Sequence, residues 1–120
     1  MGYYPIFLDM AGRSCVVVGG GAVAEHKVEA LLQAGAHATV VSPELTSKLA
    51  ALVGQGRVRH IARAYQAGDL KGYALAFVAT DEHRVNANVA CEGRQLGVWV
   101  NAADDPAHCD FILPSVLRRG

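Results

Sequence analysis

The string Val18-Gly19-Gly20-Gly21-Ala22-Val23-Ala24 contains the pattern Gly19-x-Gly21-x-x-Ala24. Placed between a strand and a helix, that pattern suits a dinucleotide. Gly19 permits a tight turn, Gly21 lets the backbone approach a pyrophosphate, and Ala24 keeps the helix close to the sheet. The helix N-terminus adds unpaired N–H groups and the positive end of its dipole. Glycines also make plain strand-to-helix turns, so the flanking elements must decide. A phosphate P-loop is excluded, because no Gly-Lys dipeptide occurs. Near the other end of the chain, Asn101-Ala102-Ala103-Asp104-Asp105-Pro106 offers carboxylates. Removing hydrogen from carbon needs a hydride acceptor and a place for the proton, and Asp104 beside a nicotinamide would be the general base. The alternative is an Asp-Pro turn with capping side chains.

Other reactive side chains carry less. Asp104, Asp105, His108, Cys109 and Asp110 match the spacing of no closed metal site, so no metal is expected, and Cys109 reads as a small buried thiol. His26 and Lys27 read as solvated helix residues, and Arg118 and Arg119 as a basic tail. Tyr3, Tyr4, Pro5, Ile6 and Phe7 form an apolar arm expected to pack on a sheet edge. It lacks the basic interleaving of a base-stacking surface.

These residues need elements to position them, and two periodicities alternate along the chain. Ser14 to Val18 predicts a buried strand, rich in β-branched residues and stopped by glycines. From Ala24 the positions Ala24, Val28, Leu31 and Leu32 recur at helical spacing, and Gly35 ends that helix. His37 to Val41 predicts a second strand. Ser42 is then expected to cap a helix carrying Pro43 in its first turn and reaching about Val53. Arg57 to Ile61 predicts a third strand, and 62–72 a polar connection. Tyr73 to Ala79 is an apolar run suited to a parallel strand covered on both faces. Thr80 or Asp81 would cap the next helix, which carries Val85, Val89 and Leu96 and ends at Gly97. Val98 to Val100 is a further strand, and Phe111 to Leu113 a candidate sixth.

This order predicts an α/β fold, Rossmann-like and doubly wound, with a mostly parallel sheet of five to six strands and right-handed crossovers. Ligands of such sheets bind at the carboxyl ends of the strands, here Gly19, Ser42, Thr80 and Asn101. At the end of the second strand the usual acidic ribose ligand is replaced by Ser42, with Glu44 two residues on. No arginine stands there to meet a 2′-phosphate, so NAD is the expected cofactor.

The chain has 120 residues, one domain's worth, and 52% of them are hydrophobic, enough for a packed core. Eleven basic and eleven acidic residues cancel. No global field recruits nucleic acid or an anionic membrane, so an anionic ligand must be held locally. The longest apolar run is seven residues, against the roughly 20 of a spanning helix. The N-terminus has no basic region before an apolar stretch and does not read as a signal peptide. Three scattered cysteines, Cys15, Cys91 and Cys109, fit a reducing cytoplasm.

Seven blocks in register carry a family resemblance: Tyr4-Pro5-Ile6-Phe7, Val16 to Lys27, Ala34-Gly35-Ala36, Val41 to Leu45, Ala79-Thr80-Asp81, Val100 to Pro106, and Cys109 to Pro114. Together the chain resembles the N-terminal domain of siroheme synthases, which also opens the stand-alone precorrin-2 dehydrogenases, some of them sirohydrochlorin ferrochelatases. The resemblance implies NAD-dependent oxidation of precorrin-2, a tetrapyrrole, to sirohydrochlorin on the way to siroheme. By position it places the essential carboxylate on Asp104, a substrate contact on Asn101, and cofactor contacts on Ala22, Val23, Pro43, Glu44 and Thr80, beside Gly19, Gly21 and Ser42. It also implies a homodimer. Members continue past the equivalent of Arg119-Gly120 into a dimerisation segment and a helical region. From that comparison this chain is expected to bind NAD but to turn over weakly.

A non-catalytic NAD(H)-sensing regulatory module would share the glycine turn without needing Asn101-x-x-Asp104. A short-chain dehydrogenase is excluded, because no Tyr-x-x-x-Lys pair occurs.

Overall fold

A computed structural model of the chain describes residues 2–102 and 105–113. Asp104, Arg118 and Arg119 lie outside them. Five strands, β1 (Ser14–Val18), β2 (His37–Val41), β3 (Val58–Ile61), β4 (Leu75–Val78) and β5 (Trp99–Ala102), are joined through three helices, α1 (Ala22–Gln33), α2 (Ser47–Gly54) and α3 (His83–Leu96), with no helix between β3 and β4. All pairings are parallel, in the order β3-β2-β1-β4-β5. This is the doubly wound α/β sheet expected from the sequence, with five strands.

The side-chain alternation of β1 assigns the two faces. Cys15 and Val17 pack with Ala24 and Val28 of α1 and Leu49 of α2, while Val16 and Val18 pack with Val89 of α3 and with Leu70. A parallel strand covered on both faces must be apolar throughout, which is why Cys-Val-Val-Val and Leu-Ala-Phe-Val run unbroken. The thiol of Cys15 is fully buried, and burial pushes its pKa up to about 11 against a smaller opposing pull from Arg13.

Four expectations need correction. Ser42 and Pro43 do not open α2. The cap is Thr46, whose Oγ1 accepts from the N–H of Leu49 at 3.2 Å, because 42–46 are used in crossing the end of the sheet. Neither Thr80 nor Asp81 caps α3, whose N-cap is Glu82. Thr80 Oγ1 instead accepts from the Glu82 N–H at 3.3 Å and donates to Asn86 Oδ1 at 3.2 Å. Phe111 to Leu113 forms no sixth strand. Asp110 covers the edge of β5 by itself, its N–H donating to Val100 O at 2.7 Å and its carboxylate accepting from Val100 N–H at 2.8 Å. Phe111 then turns edge-on to Phe77, ring centres 5.7 Å apart. Last, the N-terminal arm does not pack on a sheet edge. Tyr4 and Phe7 are exposed, and Met10 is where the chain first enters the core.

Among the described residues no helix is long and apolar enough to cross a membrane.

Candidate nucleotide site

β1 sits at the point where the strand order reverses, its connection through α1 leading to β2 on one side while β4 lies on the other. A crevice of about 520 Å³ opens there across the carboxyl ends of the strands. One wall is the glycine turn, and each of its glycines has a different reason. Gly19 has φ +126°, and a Cβ there would stand 2.5 Å from the carbonyl oxygen of Ala79. Gly20 has no positive φ but lacks room, since a Cβ would meet Glu44 O at 2.0 Å and Ser42 Oγ at 2.5 Å. Gly21, with φ −91°, needs neither, for nothing lies within 4 Å of its added Cβ.

The open space at Gly21 lies at the head of α1. Gly21 is the N-cap and offers no side chain to the first-turn amides, and its carbonyl accepts the first helical bond from Glu25 N–H at 3.0 Å. Among the described residues that line the crevice there is no lysine or arginine. A diphosphate here would be held by backbone N–H groups and the helix dipole, so the residues present fit a dinucleotide.

The structure brings Gly19, Gly21, Ser42, Pro43, Glu44 and Thr80 together on this crevice. Ala22 and Val23 follow as the exposed first residues of α1, outside the lining. The Ser42 hydroxyl is occupied within its loop, donating to Glu44 O at 2.7 Å, while Ser42 O accepts from His60 Nε2 at 2.8 Å. Glu44 is exposed on the rim. Asn101 is not brought to the crevice. It is buried in β5, and its Nδ2 donates to Phe111 O at 2.9 Å. Cys109 is half-buried as a neighbour of β5, accepting from Ala102 N–H at 3.2 Å, and burial raises its pKa.

Three residues escaped the sequence reading. Thr46 joins both helices to the turn: its N–H donates to Gly20 O at 3.0 Å and its hydroxyl to Glu25 Oε1 at 2.8 Å. A threonine just before a helical run is a readable cap, and Ser42-Pro43 masked it. Asn86, 2% exposed, links the crevice to the loop after β5, accepting from Thr80 and donating to Asp105 Oδ2 at 3.2 Å. Asp105 Oδ2 also accepts from His108 Nδ1 at 2.9 Å, and His83 Nδ1 lies 3.5 Å away. The His108 bond first, then Asn86 and His83, hold its carboxyl below the usual range. Tyr65, from the loop after β3, forms the wall facing α3. No local pattern announces either residue.

Residues 6–115 match a family described as "Putative NAD(P)-binding". The chain belongs to this family. Within the NAD(P)-binding family it is similar to a siroheme synthase of Methylobacillus flagellatus, 44% identical over 115 residues that make up 96% of this chain and 25% of that one. A siroheme synthase of Nitrosomonas eutropha is 40% identical over 120 residues, 99% of this chain and 25% of that one. The chain thus spans about a quarter of the length of the curated relatives it matches. Among solved structures, SirC, a precorrin-2 dehydrogenase, superposes with TM-score 0.75 at 34% identity over 86% of this chain and 50% of that one. The apo D-lactate dehydrogenase of Escherichia coli, at TM-score 0.62 and 16% identity over 86% of this chain and 32% of that one, shares the fold.

Proposed function

We propose that this NAD(P)-binding domain takes NAD and serves the dehydrogenation of precorrin-2 to sirohydrochlorin, a step towards siroheme. The observation that carries the cofactor half is Gly21, a glycine that neither its torsions nor its neighbours require, at the head of a helix on the switch-point crevice. The similarity to siroheme synthases and to SirC supports the substrate half. Bound NAD would supply the hydride acceptor. The amides of Gly21, Ala22 and Val23 would hold its diphosphate, and Gly19 with Pro43 and Thr80 would shape the crevice around it. Glu44 on the rim would accept from the ribose hydroxyls, and its charge would repel a 2′-phosphate, which favours NAD over NADP. Asp104, beyond the described residues, would take the proton that leaves with the hydride, and Asn101 would hold the loop that carries it.

Assembly as a homodimer and a cytoplasmic location belong to the same reading, the latter fitting three free thiols. The test is NADH formation from precorrin-2 by protein carrying this domain, beside Asp104→Ala. A large loss in the variant is expected, and equal rates would remove Asp104 from the chemistry. Tighter binding of NAD than of NADP, reversed by Glu44→Arg, checks the cofactor preference.

A further inference from the structure

Among the described residues lining the crevice there is one aromatic side chain, Tyr65. Tyr65 lines both the crevice and a second cavity of about 400 Å³. Its hydroxyl donates to Glu92 Oε1, and Glu92 Oε2 accepts from Gly68 N–H at 2.7 Å. Glu92 is 8% exposed, an unusual position for a carboxylate, and these two bonds account for it.

The loop that carries the ring is fixed independently. Arg63 pairs with both oxygens of Asp69 at 2.8 Å each, the Gln66 N–H donates to Asp69 at 2.8 Å, and Leu70 is fully buried. The ring is therefore oriented before any ligand arrives. Beside it on the crevice stand Ala64 and Val85, and both Tyr65 and Val85 rest on the α3-side core. Ala64, Tyr65 and Val85 thus give the crevice an apolar stretch with one aromatic side chain, beside the polar Thr80 and Glu82. The glycine turn, by contrast, is polar backbone.

An apolar stretch with an aromatic side chain suits a flat ring system, and stacking on that side chain holds a base by its face. We propose that Tyr65 is the wall on which the purine base of the dinucleotide packs, and that Glu92 is a positioning residue that holds the phenol in place. The assignment rests on the NAD reading above and names the group that holds its adenine end. Because the phenol oxygen is already engaged with Glu92, Tyr65 contributes its ring face.

Nuclear Overhauser effects between the Tyr65 ring protons and adenine H2 or H8, measured on the unaltered chain with ADP, test this directly. Titration calorimetry with ADP and NAD adds the energetics. Tyr65→Ala is expected to weaken both ligands roughly ten- to hundredfold, the range of a lost stacking partner. Tyr65→Phe keeps the ring and loses the anchor, so it should recover most of that affinity. Glu92→Gln should match Tyr65→Phe, and the double variant should lose no more than either. A fold-wide effect would not spare the phenylalanine variant. ADP and NAD binding to the unaltered chain without Tyr65 contacts, or equal affinity in Tyr65→Ala, overturns this assignment and leaves the NAD reading intact. Absence of binding by the unaltered chain removes both.

Discussion

At the end of β1 the chain offers the crevice almost nothing but backbone, while beyond β4 and β5 the order comes from side chains. Gly19 to Gly21 hold their course through a positive φ, through close approach to Ala79 and Glu44, and through the bond from Thr46 N–H to Gly20 O. On the other side, Thr80, Asn86, Asp105 and His108 form a run of side-chain hydrogen bonds, one of which, Asn86 to Asp105, spans nineteen residues. At Gly19 and Gly20 the first arrangement tolerates no added atom. The second tolerates changes of shape but not the loss of a partner, because a buried polar group left alone costs more than its bond contributed. A backbone wall also carries no charge to lose, which suits an anionic group. A side-chain network has protonation states and so depends on pH.

The largest effect should follow Gly20→Ala. Its Cβ would collide with a backbone carbonyl that cannot swing away, and the expected cost is about 3 kcal/mol, the upper end for overpacking. Denaturant unfolding measures it, and a loss below about 1 kcal/mol would mean that the loop after β2 is not docked on the turn as described. Asn86→Leu comes next. It fills the volume but leaves Thr80 and Asp105 each short of a partner, for an expected loss of about 2 kcal/mol. A fully stable leucine variant would show that the network does not hold this end of the crevice.

Thr46→Ala removes the cap of α2 and the bond to Glu25, and should cost about 1 kcal/mol. Thr46→Ser, which retains the oxygen, should recover most of it. The smallest effect is the response to acid. The hydrogen-bonded guanidinium of Arg63 holds Asp69 below its ordinary 3.8, and His108 does the same for Asp105. Groups with depressed folded values stabilise above the unfolded pKa, and that contribution is lost as pH falls below about 3.8 towards the folded values. The melting midpoint should therefore be level near neutrality and fall in that acid window. Asp69→Asn and Asp105→Asn should each flatten the fall, whereas Gly20→Ala should lower the whole curve without changing its slope.

The same contrast explains what the sequence disclosed. Backbone requirements leave compact local marks, so Gly19 and the β-branched run before it announced the turn, and Gly35 and Gly97 announced two helix ends. Within the glycine string the position treated as free, Gly20, proved the most crowded, because the crowding comes from Glu44 and Ser42 across the next crossover. Side-chain networks leave no such marks. Nothing near Asn86 points to Asp105, nineteen residues on, and nothing near Tyr65 points to Glu92, twenty-seven residues on. The misplaced cap at Ser42 has the same origin. A serine before a proline is a sound local signal, but the need to cross the sheet end moved the start of the helix to Thr46.

The central claim is that a diphosphate lodges against the open backbone of Gly21. Calorimetric titration of NAD into the unaltered chain and into Gly21→Ala tests it most directly, because the added methyl meets no protein atom and so spares the fold. The account predicts one NAD bound per unaltered chain and at least a roughly tenfold loss of affinity in the variant, the equivalent of about 1.4 kcal/mol, with the melting midpoint little changed. Equal affinity in the two proteins, or no binding in either, would contradict it.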